Sequence, residues 1–340
     1  MSRGPTPHQT WHAWEATALR LVARFEPLAE RGGFDFVQST ALQSGVPRRL
    51  RRAYGVPVHW TCFGPPGGPL LLCVGGVVSS AARFSFLAAD LARAGWRVVC
   101  MDWLGRGRSG WLADDREYAL PVCVAQLRQA IVHLGGGPVA LLGSSMGASA
   151  AIALAAQAPQ LVSRLVLNDT GPYLPRARRQ RRADVLARWY VFRTPAEIMR
   201  RVGASQKHDG PVSDEVRHFL AWHATRWSDA DAGRVYRHDP RALLAYRRDA
   251  EHAVSQWDAW AAVRCPVLLL HGLESDVLSP PTIARMRRGH DLTVAHVPAT
   301  GHTPVLDDRN QTAAIGAWLA DPAPVATAYS VLLAPRRQAG

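Results

Sequence analysis

A chain of 340 residues, 48% hydrophobic and 20% charged, is long enough for one large α/β domain with an inserted subdomain, and its composition excludes intrinsic disorder. The formal charge of +13 suggests a polyanionic partner, but the basic residues are arginines scattered over every segment, with Lys207 the single lysine, so nucleic acid is not expected as a ligand. No apolar run approaches the ~20 residues of a membrane span, Glu15, Arg20 and Arg24 interrupt the N-terminal apolar positions, and the five cysteines lack C-x-x-C spacing; we expect a cytoplasmic protein without membrane association.

In chain order, Trp11, Trp14, Ala18, Leu21, Val22, Phe25 and Leu28 recur at helical spacing and predict an amphipathic helix over residues 9–30, its stripe covered by the main domain or by a second copy. Gly32, Gly33, Gly45 and Pro47 then mark irregular chain, so residues 1–54 read as an N-terminal helical extension. From about residue 58, strands over 58–62, 70–74, 97–102, 138–143, 164–168, 267–271 and 292–297 alternate with helices over 80–93, 119–133, 146–157, 282–288 and 310–319. The central strands are continuous apolar runs, as expected of a sheet covered on both faces. The fold class is therefore α/β, with a doubly covered, mostly parallel sheet built from residues 55–170 and 262–320.

The alternation stops after Asn168 and resumes at Cys265. Between them the pattern is helical with no convincing strand, and Thr194-Pro195-Ala196-Glu197 fits a helix start, so residues 171–261 are expected to form a helical cap. Arg176, Arg178, Arg179, Arg181 and Arg182 read as the solvated face of a surface helix. The tail over 321–340, rich in Ala and Pro, is expected to be poorly ordered.

The sharpest chemical signal is Gly143-Ser144-Ser145-Met146-Gly147, a G-x-S-x-G between an apolar strand and an Ala-rich helix. That context puts Ser145 on a tight turn as nucleophile, and serine needs a base. Gly301 and Pro304 hold His302 in a loop after the last strand of the core, on the same sheet edge. The loop after the preceding strand offers two carboxylates for orienting that base, Asp276 as the choice and Glu274 as the alternative.

These segments, with 73–110, resemble the α/β-hydrolase superfamily over most of residues 55–320. The resemblance implies an acyl-enzyme mechanism and an oxyanion hole of two backbone N–H groups, one from Met146 and one from the loop Gly75-Gly76-Val77. Many relatives carry His-Gly where Gly75-Gly76 stands, which makes Val77 the donor, or Gly76 on a one-residue slip. Gly76 and Trp103 are read as walls of the substrate site, Trp103 lying in a stretch that looks like the family's D-x-x-G-x-G-x-S turn. The literal G-x-G-x-x-G of residues 105–110 opens no helix and is not a dinucleotide site. In the cap, Trp189, Tyr190, Phe192, Trp222 and Trp227 either line an acyl pocket or form cap core.

No histidine or carboxylate pair has metal-ligand spacing, so neither metal nor cofactor is expected. The expected partner is a small-molecule acyl substrate, an ester, lactone or similar compound. The alternatives are a C–C bond hydrolase, an acyltransferase and a non-catalytic binding protein on the same fold.

Overall fold

The computed structural model describes residues 7–37, 55–186, 188–206, 209–321 and 330–332. Helix α1 (Pro7–Phe25) and strand β1 (Glu30–Val37) are followed by β2 (Gly55–Phe63), β3 (Leu70–Val74), α2 (Ser85–Arg93), β4 (Arg97–Met101), α3 (Leu120–His133), β5 (Val139–Ser144), α4 (Met146–Gln157) and β6 (Val162–Asn168). The inserted segment holds β7 (Tyr173–Leu174), α5 (Arg176–Leu186), β8 (Val191–Phe192), α6 (Pro195–Gln206), α7 (Asp214–Ala224), β9 (Thr225–Ser228), β10 (Gly233–Tyr236), α8 (Pro240–Asp249) and β11 (Val254–Ser255). The core resumes with α9 (Trp257–Ala262), β12 (Val267–Gly272), α10 (Pro280–Met286), β13 (Leu292–Val297), α11 (Arg309–Ala320) and β14 (Ser330–Leu332).

The runs that are apolar at every position become strands buried on both faces: Leu71, Leu72, Cys73 and Val74 of β3 are fully enclosed. One face packs on α3, α4, α9 and α10 through residues such as Leu127, Ile152, Trp260 and Met286. The other packs on α2 and α11 through Leu87, Leu91, Ile315 and Leu319. The nine strands run in the order β1-β2-β4-β3-β5-β6-β12-β13-β14. From β4 to β14 every pair is parallel, while β2 is antiparallel to both β1 and β4. All the loops after β3, β5, β6, β12 and β13 therefore emerge at one edge.

Three expectations are corrected. The glycines at 32 and 33 lie inside β1, paired with Trp60 and His59, because alternation puts Phe34 and Phe36 on the sheet face while the backbone of Gly33 approaches the Val58 carbonyl. The core thus begins before residue 55. The inserted segment is not wholly helical: β8, β10 and β9 form a small antiparallel sheet, and β11 pairs with β7. These strands, of two to four residues, are too short for a period to register in sequence. In the tail, residues 330–332 add a parallel strand to β13, and the remainder of that segment lies outside the described residues.

The stripe of α1 is covered by the inserted segment. Trp14 stacks on His218 with ring centroids 4.8 Å apart and joins Phe192, Ile198, Val202 and Ala221 in one apolar cluster. The glycine-rich turn after β4 is stitched by Asp102, whose carboxylate accepts the N–H groups of Ala81 at 2.7 Å and Arg108 at 3.0 Å. That turn is structural, as its sequence implied.

Candidate active site

Ser145 sits between β5 and α4 at φ 54° and ψ −118°, a strained backbone position that projects its side chain from the carboxyl edge of the sheet. Only glycine fits on either side of it. A Cβ at Gly143 would lie 2.6 Å from the Cα of Ala148, and one at Gly147 would lie 2.4 Å from the carbonyl oxygen of Val74. The strand before, the helix after and the oxyanion loop can therefore close on the serine. Met146 opens α4, so its N–H has no intrahelical acceptor.

His302 lies in the loop after β13, with Nδ1 3.0 Å from the Oδ2 of Asp169. Asp169 follows β6, has φ 49° and is fully buried. Its carboxylate also accepts the Gly272 N–H at 3.0 Å and the Ser275 hydroxyl at 2.6 Å. An Nδ1–H directed at Asp169 leaves Nε2 of His302 as the basic nitrogen. The loop carrying the histidine is tied down by Asn168, which donates to the Pro304 carbonyl at 3.0 Å, and by Arg83, which donates to Oγ1 of Thr303 at 3.2 Å.

This arrangement corrects the expected acid. The side chain of Asp276 is 59% exposed and pairs with Arg178 at 2.8 Å. Glu274 is exposed as well, and its backbone N–H donates to the Thr300 carbonyl at 2.8 Å. The physical reason is lateral: β6 lies between β5, which leads into Ser145, and β12, so a residue directly after β6 stands between the serine turn and the histidine loop that follows β13. The end of β12 and the loop after it supply two hydrogen-bond donors to Asp169 instead of the carboxylate that meets His302. The sequence signal for Asp169 was an acidic residue directly after a buried strand at the carboxyl edge.

Behind the expected oxyanion loop, the indole N–H of Trp103 donates to the Gly75 carbonyl at 2.8 Å, and Nε of Arg106 donates to the Val77 carbonyl at 2.8 Å. With both carbonyls held from the rear, the Val77 N–H finds no backbone acceptor among the described residues. Gly76 touches the nucleophile: a Cβ there would lie 3.2 Å from Ser145 Cβ and 3.6 Å from its Oγ. Trp103 is not a wall of the substrate site. It is 1% exposed and acts as a strut under the loop.

A cavity of about 340 Å³ opens above His302, Thr303, Val78 and Ser79 and is roofed by α5 and its neighbours. Of the expected aromatics, Tyr190 lines it, Phe192 is buried in the cap core, Trp222 packs beside Trp14, and Trp189 and Trp227 are exposed. The arginines of α5 are not one solvated face. Arg179 is buried and donates to the carbonyls of Asp249 and His252, whereas Arg178 and Arg182 turn into the cavity. Asp209, also on the lining, has its carboxyl pushed up by burial, an effect opposed by Arg83 and His302.

The family model for the alpha/beta hydrolase fold matches residues 68–309. The chain belongs to the α/β-hydrolase fold family. It is 30% identical over 261 residues to the 3-hydroxybutyrate-oligomer hydrolase of Cupriavidus necator, covering 74% of this chain and 88% of that one. To the N-formylmaleamate deformylase of Pseudomonas putida it is 31% identical over 262 residues, covering 75% and 90% respectively. A crystal structure of an alpha/beta hydrolase from Novosphingobium aromaticivorans superposes with a TM-score of 0.73 at 25% identity, covering 86% of this chain and 98% of that one. At this level the protein is a hydrolase. The three residues brought to this edge follow one another in the chain as Ser145, Asp169 and His302, with Asp169 directly after β6.

Proposed function

We propose that the protein is a serine hydrolase that cleaves an ester, lactone or related acyl substrate through an acyl-enzyme. The observation that carries this reading is a buried carboxylate, Asp169, 3.0 Å from Nδ1 of a loop histidine, His302, at the sheet edge where Ser145 projects from a strained turn. Ser145 Oγ attacks the acyl carbonyl while Nε2 of His302 removes its proton. Asp169 fixes the tautomer and stabilises the imidazolium. The N–H groups of Met146 and Val77 receive the developing oxyanion, each worth about 2.7–4 kcal/mol when well aimed. His302 then returns the proton to the leaving group, and a water activated by the same nitrogen releases the acid product.

The names of the relatives are consistent with this: an oligomer of a hydroxy acid is a chain of esters, and removal of a formyl group is also acyl transfer to water. The same first half-reaction serves a C–C bond hydrolase or an acyltransferase, and turnover of aryl esters against dienoic diketones, with and without an added alcohol, separates the three. The cap over residues 171–261 sets the substrate. Five free thiols fit the reducing cytoplasm that we assign as its compartment, and among the described residues no helix is long and apolar enough to cross a membrane. The deciding experiment is labelling with a fluorophosphonate followed by peptide mapping. Modification at Ser145 together with aryl-ester turnover is the expected result; an unlabelled wild type that binds acyl ligands without turning them over would make it a binding protein.

A further inference from the structure

We infer that the substrate carries a free carboxylate, held by Arg182 in the cavity roof while its acyl carbonyl meets Ser145; this rests on the hydrolase reading above. The cavity collects five guanidinium groups, those of Arg83, Arg178, Arg182, Arg188 and Arg201, against the carboxylates of Asp209, Glu274 and Asp276. Most of these cations already have partners inside the protein. Arg83 pairs with Asp209 at 3.1 Å, Arg178 pairs with Asp276 at 2.8 Å, and Arg201 lies over the Tyr190 ring at 4.1 Å.

Arg182 is different: among the described residues its guanidinium makes neither a hydrogen bond nor an ion pair, although it is partly buried. Burial pushes its pKa down and the neighbouring charge of Arg178 acts in the same direction, opposed by Asp209. The nearest carboxylate, Asp209, is already paired with Arg83 at 3.1 Å, and a partly buried cation without a hydrogen-bonded anion of its own is costly, a cost that an anion entering the cavity removes. A planar guanidinium matches a carboxylate with two parallel hydrogen bonds. Because Asp276 neutralises Arg178, the attraction is concentrated on Arg182. Arg188, exposed at the mouth, draws anions toward the opening.

The size of the cavity narrows the class further. About 340 Å³ is near the lower end of the roughly 300–1,000 Å³ usual for ligand pockets, so charge and reacting carbonyl belong to one short molecule. A half-ester of a short dicarboxylic acid or an ester of a short hydroxy acid meets both conditions; a long uncharged acyl chain meets neither.

The test separates anion binding from turnover. Full-length Ser145→Ala protein is titrated in low-salt buffer with monomethyl glutarate, with dimethyl glutarate, which differs by one masked charge, and with sodium phosphate. We expect monomethyl glutarate to bind at least tenfold more tightly than the diester and the phosphate, and Arg182→Gln in the same background to abolish that margin. Equal affinity for the two esters, tighter binding of phosphate, or a margin unchanged by Arg182→Gln would overturn the inference. Thermal unfolding of each variant verifies folding, and Arg182→Lys, which keeps the charge without the fork, should retain part of the margin if Arg182→Gln proves unstable. Wild-type turnover of the 4-nitrophenyl half-ester of glutaric acid is measured separately: carboxylate-selective binding without turnover counts against the hydrolase reading alone.

Discussion

The carboxyl edge of the sheet and the underside of the cap face each other across one cavity, and they are built on opposite principles. At the edge, Asp169 is fully buried and accepts hydrogen bonds from three directions, from His302, Gly272 and Ser275, and the loop beside Ser145 is braced from the rear by Trp103 and Arg106. In the cap, guanidinium groups on long side chains share a few carboxylates, and among the described residues Arg182 makes no hydrogen bond or ion pair. Bond making tolerates little misplacement, whereas recognition of a charge tolerates a flexible arm. On the proposed reading, the contrast assigns chemistry to the sheet edge and selectivity to the cap.

That division can be broken most directly at the nucleophile. Ser145→Ala should lower kcat by about 10⁶-fold, as loss of a triad nucleophile does elsewhere, while leaving the melting curve in place; residual turnover above about one part in a thousand would move the nucleophile to another residue. The two carboxylates provide the sharper comparison. Asp169→Asn should lower kcat by about 10⁴-fold by disturbing the histidine tautomer, whereas Asp276→Asn should act on KM for charged substrates and change kcat only a few-fold. Steady-state kinetics of the pair decide it, and the reverse ranking would return the role of acid to Asp276.

A smaller effect is expected beneath the oxyanion loop. Trp103→Phe keeps the packing but removes the hydrogen bond to Gly75, and should cost about tenfold in kcat, less than the roughly 10²–10³ of losing a donor itself. An altered KM with intact kcat would put the indole back in contact with substrate. The mildest effect concerns pH. Burial holds His223 of α7 neutral, with its pKa lowered from 6.5 to about 3, and arginines including Arg108, Arg31 and Arg237 act in the same sense despite Glu26 at 3.7 Å. Burial likewise lowers His238 to about 4, with Arg106 reinforcing it. Below pH 6.5 the unfolded chain takes up protons that these positions refuse when folded, so stability falls as pH falls, by up to about 1.4 kcal/mol per pH unit for each group. Both belong to the inserted segment, so hydrogen exchange between pH 6 and 4 should show the cap opening before the sheet, and His223→Gln should flatten that dependence.

What could be read from the sequence follows from the range of the interactions involved. The serine turn announces itself within five residues, because the glycines at 143 and 147 answer local crowding, and β3, β12 and the helix after Ser145 follow from hydrophobic runs. His302 was legible as a loop histidine after a core strand. Asp169 was not, because the identity of the acid depends on which of two adjacent strand ends faces the histidine, a matter of lateral sheet order that one sequence does not encode locally. The glycine pair in β1 masked a strand whose only inward anchors are Phe34 and Phe36. The arginines of α5 give the pattern of a solvated face in the sequence, because charge at helical spacing reveals a face without revealing what lies opposite it.

The position of Asp169 also bears on how such an enzyme could be refashioned. The acid sits at the junction where the chain leaves β6 for the cap, so any exchange of caps would have to preserve that junction residue by residue. The segment after β12 is under a lighter obligation: it must keep Gly272, whose backbone lies against the Gly301 carbonyl, and the hydroxyl of Ser275. Around those two fixed points the rim bearing Glu274 and Asp276 is an interchangeable part, open to grafting with loops of other charge without touching the reaction centre.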